Sequence, residues 1–454
     1  MIEKYLNNRF FTLYIIPFIL GSLSVLSFEP FNLTIINFFI FPLFFYLLIY
    51  INKKSKFIYR KKPYKKNFFL FGLAFGFGFY LSGLAWITNS LTFDENFKVL
   101  IPFALLLIPL FLSLFVGLTT LIIGQYLKLN FFSVLIFSAS LAFSDYLRTY
   151  LLTGFPWNLW AYSTSSMNEI LQIINLIGLH CYNLFVITIF TLPIFIFFKI
   201  RKITKIISLF IVSLIILGLH IYGNYEINKN QKVIKNTFEK THVKVVSPNF
   251  NLEYGLSAAE IEERLKKLIK YSDPDKEKKT LFIWPEGVFS GYSYNEILSF
   301  KDLILNHFSS KHFIIFGVNK LDPFSGSFYN SMLVINNKFE VIQIYNKRKL
   351  VPFGEFLPFE KILKDFGFKK ITEGHGSFIK GKEDKNLIFG QFNILPLICY
   401  EIIFPNLIQK SSVDTNLIVN ISEDGWFGKT IGPDQHFSKS IFRAIENNTF
   451  VLRS

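Results

Sequence analysis

Apolar positions in the first half of the chain come in long unbroken runs rather than at a helical or strand period. A bilayer core needs about 20 apolar residues per helix, because every backbone amide must be satisfied internally once water is absent. Seven stretches meet that length, at about 9–27, 32–51, 67–88, 98–125, 130–147, 176–198 and 204–222. The first is long for the apolar part of a signal peptide and no A-x-A-like cleavage site follows it, so it is expected to stay as an anchor. From about Thr241 the pattern changes to short β-rich runs alternating with amphipathic stretches. Strands are predicted at His242–Val246, Thr280–Trp284, His312–Val318, Ser331–Ile335, Ile394–Cys399 and Asn416–Ile421, and helices at Ala258–Tyr271, Asn295–Phe308 and Asp434–Asn447. The expected organisation is a membrane domain of about seven transmembrane helices over 1–225. An α/β domain, layered α-β-β-α, follows over 241–454.

Composition agrees with this division and narrows it. Of the 454 residues 51% are hydrophobic and only 18% charged, and mean hydropathy is +0.38, which excludes a disordered or collagen-like chain. The two cysteines, Cys181 and Cys399, lie far apart in unlike surroundings, so neither a disulfide nor a four-cysteine metal site is expected. Net charge is +16, which in a soluble protein would raise nucleic acid as a partner. Here much of the excess sits in one loop, Lys53, Lys54, Lys56, Arg60, Lys61, Lys62, Lys65 and Lys66, between two apolar segments. That cluster marks a cytoplasmic membrane face and no nucleic acid is implied. Lys4, Arg9, Lys128, Lys199, Arg201, Lys202 and Lys205 fall on the same side. Seven crossings from an inside N-terminus would place everything after residue 222 outside. The run Gly154-Phe155-Pro156-Trp157-Asn158-Leu159-Trp160 reads first as an interfacial aromatic belt and second as part of a lipid-facing entrance. Cys181 reads as a small buried apolar residue.

Four polar insertions interrupt the apolar strands of the second half. They are Trp284-Pro285-Glu286-Gly287, Tyr345-Asn346-Lys347-Arg348-Lys349 continuing to Pro352-Phe353-Gly354-Glu355, Cys399-Tyr400-Glu401, and Ser422-Glu423-Asp424-Gly425-Trp426-Phe427-Gly428. Each alone has an ordinary reading as a cap, a basic turn, a packed thiol or a loop. Together a strand-end Glu, a Lys and a strand-end Cys are chemically coherent. A carboxylate can take the proton of a thiol and return it to a leaving group. An ammonium nearby stabilises thiolate and a tetrahedral oxyanion. None of the seven histidines sits in a comparable motif.

The WPEG, K-x-x-L-V-P-F-G-E, ICYE and SEDGWFG segments, in that order, resemble the carbon-nitrogen hydrolase (nitrilase-like) superfamily. With membrane segments ahead of them, and with YNKRKLVPFGEFLPFE and GFPWN as they stand, the chain resembles the apolipoprotein N-acyltransferase family within it. The resemblance implies that Glu286 is the general base, Lys347 the lysine of the triad and Cys399 the acyl-accepting nucleophile. Lys349 lacks the two-residue gap before Leu350-Val351-Pro352-Phe353 that Lys347 has. It further implies that Glu355 orients the lysine and nucleophile, that Tyr400 and Glu401 shape the acyl site, and that Trp426 lines it. The implied reaction moves an acyl chain from a membrane phospholipid, typically phosphatidylethanolamine, through a cysteine thioester. The acceptor is the N-terminal amine of a diacylglyceryl apolipoprotein, outside the bacterial cytoplasmic membrane, and no metal or organic cofactor is called for. Members of the family continue past Phe450-Val451-Leu452-Arg453-Ser454, so the catalytic domain is expected to be truncated here, and Val246-Ser247-Pro248-Asn249 departs from the usual start of the domain. Two other readings use the same features: a membrane-tethered amidase or nitrilase with water as acceptor, and a receptor or transporter with an external domain. Few intramembrane charges stand behind the last.

Overall fold

The computed structural model describes residues 8–57, 64–239, 242–253, 255–361, 370, 377–382, 385–409 and 414–454. Lys4, Arg60, Lys61, Lys62 and Thr241, used above for orientation and for the domain start, lie outside them. The chain divides into two compact units, Met1–Ile227 with Phe427–Phe442, and Asn228–Trp426 with Arg443–Ser454.

In the first unit the apolar runs become helices: α1 (Phe11–Ser27), α2 (Thr34–Lys54), α3 (Lys65–Thr92), α4 (Glu95–Ile123), α5 (Phe131–Tyr150), α6 (Ile174–Phe197) and α7 (Lys202–Phe238). Among the described residues six of them, α2 to α7, are long and apolar enough to cross a membrane. The seventh expected span, α1, stops at Ser27, where Phe28 turns to an extended backbone, and is about 26 Å long against a hydrocarbon core of about 30 Å. Close contact between α3 and α4 depends on a missing side chain. A Cβ at Gly72 would lie 2.0 Å from Thr120 Oγ1, and that hydroxyl donates to the Phe68 carbonyl at 2.8 Å. Small residues at helix contacts are the usual means of close packing where no hydrophobic effect drives association.

Two expectations for this unit are corrected. Trp157, Leu159 and Trp160 are buried, so the Gly154–Trp160 run is internal packing and not an interfacial belt. Its path is set by polar bonds: the Arg148 guanidinium donates to the carbonyls of Phe155 and Asn158, and the Trp157 indole N–H donates to Gln435 Oε1 at 2.8 Å. Cys181 is exposed on α6, because its position falls on the outward face of that helix.

The second unit holds two sheets. The first has the order β1 (His242–Val245), β2 (Thr280–Ile283), β3 (His312–Leu321), β4 (Phe328–Asn336), β5 (Val341–Asn346), parallel through β3 and antiparallel after it. The second runs β6 (Leu387–Phe389), β7 (Phe392–Ile398), β8 (Leu417–Ile421), β9 (Phe450–Arg453), with β7, β8 and β9 parallel. Alternation along the strands sorts the core into layers. Leu281, Ile283, Ile315, Met332 and Val334 face Leu387, Ile394, Ile398, Leu417 and Val419 of the second sheet. Phe282, Trp284, Ile314, Phe316 and Leu333 point the other way, onto helix α8 (Ala258–Ser272) through Ile261, Leu265 and Leu268. Parallel neighbours need crossover connections, and the helices Pro405–Gln409 and α9 (Gly432–Glu446) occupy the links after β7 and β8. β5 and β6 were not expected, being a half-polar edge strand and a three-residue one. The predicted helix Asn295–Phe308 is broken into Tyr294–Ile297 and Lys301–His307 by a 3-10 turn.

Candidate active site

Cys399 follows the last residue of β7 and opens a 3-10 turn. Its φ of +51° is in the left-handed region, which costs a non-glycine residue about 1–3 kcal/mol and persists only where surroundings enforce it. The enforcing group is Glu401, which is fully buried. Its carboxylate accepts the main-chain N–H groups of Ile398 (2.8 Å), Arg348 (2.7 Å) and Lys349 (2.9 Å), and the Tyr345 hydroxyl lies 2.8 and 3.0 Å from its two oxygens. One side chain thus clamps the cysteine turn to the segment that carries the lysines. Burial pushes the Glu401 carboxyl up, against the pull of those N–H donors. Asn420 Nδ2 holds the Cys399 carbonyl from β8, at 3.3 Å.

Lys347 comes directly after β5 and is 1% exposed. Its Nζ lies 2.9 Å from Glu355 Oε1 and 3.6 Å from Glu286 Oε1. Asn330, on β4, donates through Nδ2 to Glu286 Oε1 and to Glu355 Oε1, both at 2.8 Å, while its carbonyl accepts the Lys347 N–H at 2.8 Å. Val351 N–H closes the other Glu355 oxygen at 2.8 Å. Glu286 reaches this cluster from the end of β2 because β3 carries Gly317 opposite it, where a Cβ would stand 2.9 Å from Glu286 Cα. Lys349 is placed differently, with its Nζ 4.6 Å from the centre of the Phe404 ring.

The electrostatics follow from this geometry. Burial works to lower the affinity of Lys347 for its proton, but the Glu355 and Glu286 carboxylates override it and hold the ammonium charged. Cys399 has the same neighbours with the opposite outcome. Burial pushes its thiol well up, Glu286 adds to that, and Lys347 only partly offsets them. The ammonium therefore does not produce a standing thiolate, contrary to the simple expectation from its presence, and the proton must leave by transfer to a base during reaction. Glu286 faces both groups. Tyr400 is half-buried with its ring edge-on to Phe404 at 5.0 Å, and Trp426 is half-buried in the turn Asp424–Phe427.

Three contributors were given no role in the sequence reading. Asn330 joins both carboxylates to the lysine, and the only trace of it was a polar pair, Asn330-Ser331, ahead of an apolar run. Glu423 gives its main-chain N–H to Glu286 Oε2 at 3.1 Å. Arg453 of β9 braces the turn beside it, bonding Asp424 Oδ2 at 2.6 Å and Asn420 Oδ1 at 2.9 Å. Among the described residues there is no group of three or more His, Cys, Asp or Glu side chains placed to hold a metal ion.

Residues 20–192 match the family described as the apolipoprotein N-acyltransferase N-terminal domain, and residues 250–454 match the carbon-nitrogen hydrolase family. The chain is 31% identical to the apolipoprotein N-acyltransferase of Bradyrhizobium diazoefficiens over 449 residues, covering 96% of this chain and 82% of that protein. It is 33% identical to the enzyme of the same name from Rickettsia typhi, covering 97% of this chain and 85% of that protein. With both halves matched in one order and relatives of this identity aligned along nearly its whole length, the chain belongs to the apolipoprotein N-acyltransferase family.

Proposed function

We propose that this chain is the acyltransferase of lipoprotein maturation, with Glu286, Lys347 and Cys399 as its catalytic residues. The observation that carries the assignment of residues is the Glu286–Lys347–Glu355 cluster, with Lys347 and Glu355 buried and Glu286 partly exposed, beside a thiol held at a strained strand end. In the first half-reaction the Cys399 thiol proton passes to the Glu286 carboxylate as sulfur bonds to the ester carbonyl carbon of a phospholipid. The Lys347 ammonium stabilises the resulting oxyanion. Collapse breaks the ester C–O bond, Glu286 returns the proton to the departing oxygen, and lysophospholipid leaves a thioester on Cys399. In the second, the N-terminal amine of a diacylglyceryl-cysteine attacks that thioester and loses a proton to Glu286. The C–S bond breaks, sulfur recovers the proton, and an amide is formed.

Both substrates are lipids, which gives the membrane helices a physical role: acyl chains reach the chemistry without crossing water. Phosphatidylethanolamine is the donor we favour. We place the catalytic unit on the extracytoplasmic face, since Lys53 and Lys54 at the end of α2, Lys65 and Lys66 at the start of α3, Lys128 between α4 and α5, Lys199 and Arg201 between α6 and α7, and Lys202 at the start of α7 share the opposite side. Glu355 and Asn330 hold the lysine and the base in place, Glu401 holds the cysteine turn, and Tyr400 and Trp426 border the acyl group.

Full-length protein in phosphatidylethanolamine vesicles labelled on the acyl chain, mixed with a diacylglyceryl-cysteine peptide, tests the reading. The expected result is label in an amide on the peptide, with none transferred by Cys399→Ala. Label released as free fatty acid in the presence of excess peptide would instead show a hydrolase, and transfer undiminished in Cys399→Ala would exclude both.

A further inference from the structure

The second sheet carries a polar row for which the mechanism has no use. β8 reads Leu417-Ile418-Val419-Asn420-Ile421, and Asn420, the single polar residue of this strand, is fully buried. Parallel register sets it abreast of Leu397 on β7 and of Arg453 on β9. A buried amide needs a partner at each polar end, and its neighbours supply them. Arg453 donates through Nη1 to Asn420 Oδ1 at 2.9 Å, and Asn420 Nδ2 donates to the carbonyls of Leu397 at 3.2 Å and Cys399 at 3.3 Å. A guanidinium has donors only, so Arg453 decides which way the amide faces: the oxygen turns to β9 and the NH₂ group to β7.

The second arm of the same fork runs to the other end of the cysteine. Arg453 Nη2 bonds Asp424 Oδ2 at 2.6 Å, and Asp424 Oδ1 accepts the Ser422 hydroxyl at 2.7 Å. Ser422 lies one position past Ile421, as Cys399 lies one position past Ile398, and those two isoleucines are paired across β7 and β8. The buried Ser422 side chain is thereby set beside the cysteine, where its hydroxyl is a hydrogen-bond neighbour of the thiol. Both branches that leave Arg453 therefore finish on Cys399, one at its carbonyl and one at its sulfur. Cys399 needs such support because its φ of +51° is not a conformation it keeps unaided. Glu401 anchors the residue before it, through the Ile398 N–H, and Asn420 anchors the carbonyl after it.

Accepting Cys399 as the nucleophile, we propose that Arg453 is a positioning residue for it, a planar fork whose two arms fix the cysteine carbonyl through Asn420 and its sulfur through Asp424 and Ser422. Arg453 touches no substrate and takes no part in the bonds made and broken. Lysine is no substitute, since a point charge pairs with Asp424 or with Asn420 but has no rigid fork to hold both at once. Released at either end, the strained turn relaxes and the sulfur leaves its line of attack, and a displacement of about 1 Å costs up to about 100-fold in rate.

The test is a single turnover without acceptor, using the full chain and excess phosphatidylethanolamine vesicles, with acyl-Cys399 followed by quench and mass spectrometry. Loss of folded protein lowers the amplitude of that reaction, whereas a misplaced nucleophile lowers its rate constant. Arg453→Lys is expected to reduce the rate constant about 10–100-fold at nearly wild-type amplitude, with the phospholipid concentration giving half the maximal rate unchanged. Arg453→Ala should show the same slow rate constant at lower amplitude, and dilute guanidinium should restore part of it where an equal concentration of ammonium does not. A wild-type rate constant in Arg453→Lys, whatever the amplitude, would overturn the inference, and this arm stands even if Arg453→Ala does not fold. Absence of acyl-Cys399 in the wild type would overturn the proposed function itself, and this inference with it.

Discussion

Each unit buries a network of opposite charges, and the two end differently. In the first, the Arg148 guanidinium pairs with Asp145 at 2.9 Å, Asn183 donates to the other Asp145 oxygen at 3.0 Å, and Asn183 Oδ1 accepts the Ala161 N–H at 2.9 Å. Every branch finishes on the main chain between Phe155 and Ala161, so the network shapes a loop. In the second, Lys347, Glu355 and Asn330 are buried and Glu286 is partly so, but the branch through Glu286 finishes next to a thiol. A buried ion pair contributes little net stability over an apolar replacement, while removing one partner is severely destabilising. Burial and pairing are common to both networks. What separates them is whether the last group in the branch can react.

Four substitutions would sharpen or break this contrast. Cys399→Ser should leave the second network intact and reduce transfer by about 10⁴-fold or more, measured as amide formation on a lipopeptide, since the nucleophile is lost while the base and ammonium remain. Glu286→Gln should cost about 10²–10⁴-fold in thioester formation, as expected for loss of a general base, with modest change in thermal stability. Arg148→Ala should show the opposite profile. Leaving Asp145 buried without its cation should cost about 3–5 kcal/mol of stability by denaturant titration, with turnover per folded molecule unchanged. Asn330→Ala should fall between, at about 1–3 kcal/mol, because both carboxylates lose a donor, and with it a fall in kcat greater than any change in KM. If Arg148→Ala abolished turnover in folded protein, or Glu286→Gln affected only stability, the distinction drawn between the networks would fail.

The parts of this arrangement readable in the sequence were those carried by local pattern. Apolar runs of about 20 residues located six long helices, and apolar strands ending abruptly in Glu286 and Cys399 marked both strand-end groups. The spacing before Leu350 separated Lys347 from Lys349, and the structure finds them in different surroundings, one among carboxylates and the other over Phe404. What could not be read depends on partners remote in the chain. Trp157 resembled an interfacial residue because its hydrogen-bond partner Gln435 is 278 positions away. Asn330 fell just before the strand predicted at Ser331–Ile335, and its role depends on the tertiary fold setting Glu286 and Glu355 beside its amide. The break near Leu298 was missed for a different reason: hydrophobicity there continues past the point where backbone geometry changes.

In the proposed reaction one sulfur, Cys399, carries the acyl group between the two lipids. Incubating the full chain with phosphatidylethanolamine, without acceptor, and mapping acylated peptides by mass spectrometry tests it most directly. One fatty-acyl adduct is expected, on the Cys399 peptide, cleaved by hydroxylamine and discharged on adding a diacylglyceryl-cysteine amine. An unmodified Cys399 in protein that still transfers acyl chains to that amine would contradict it.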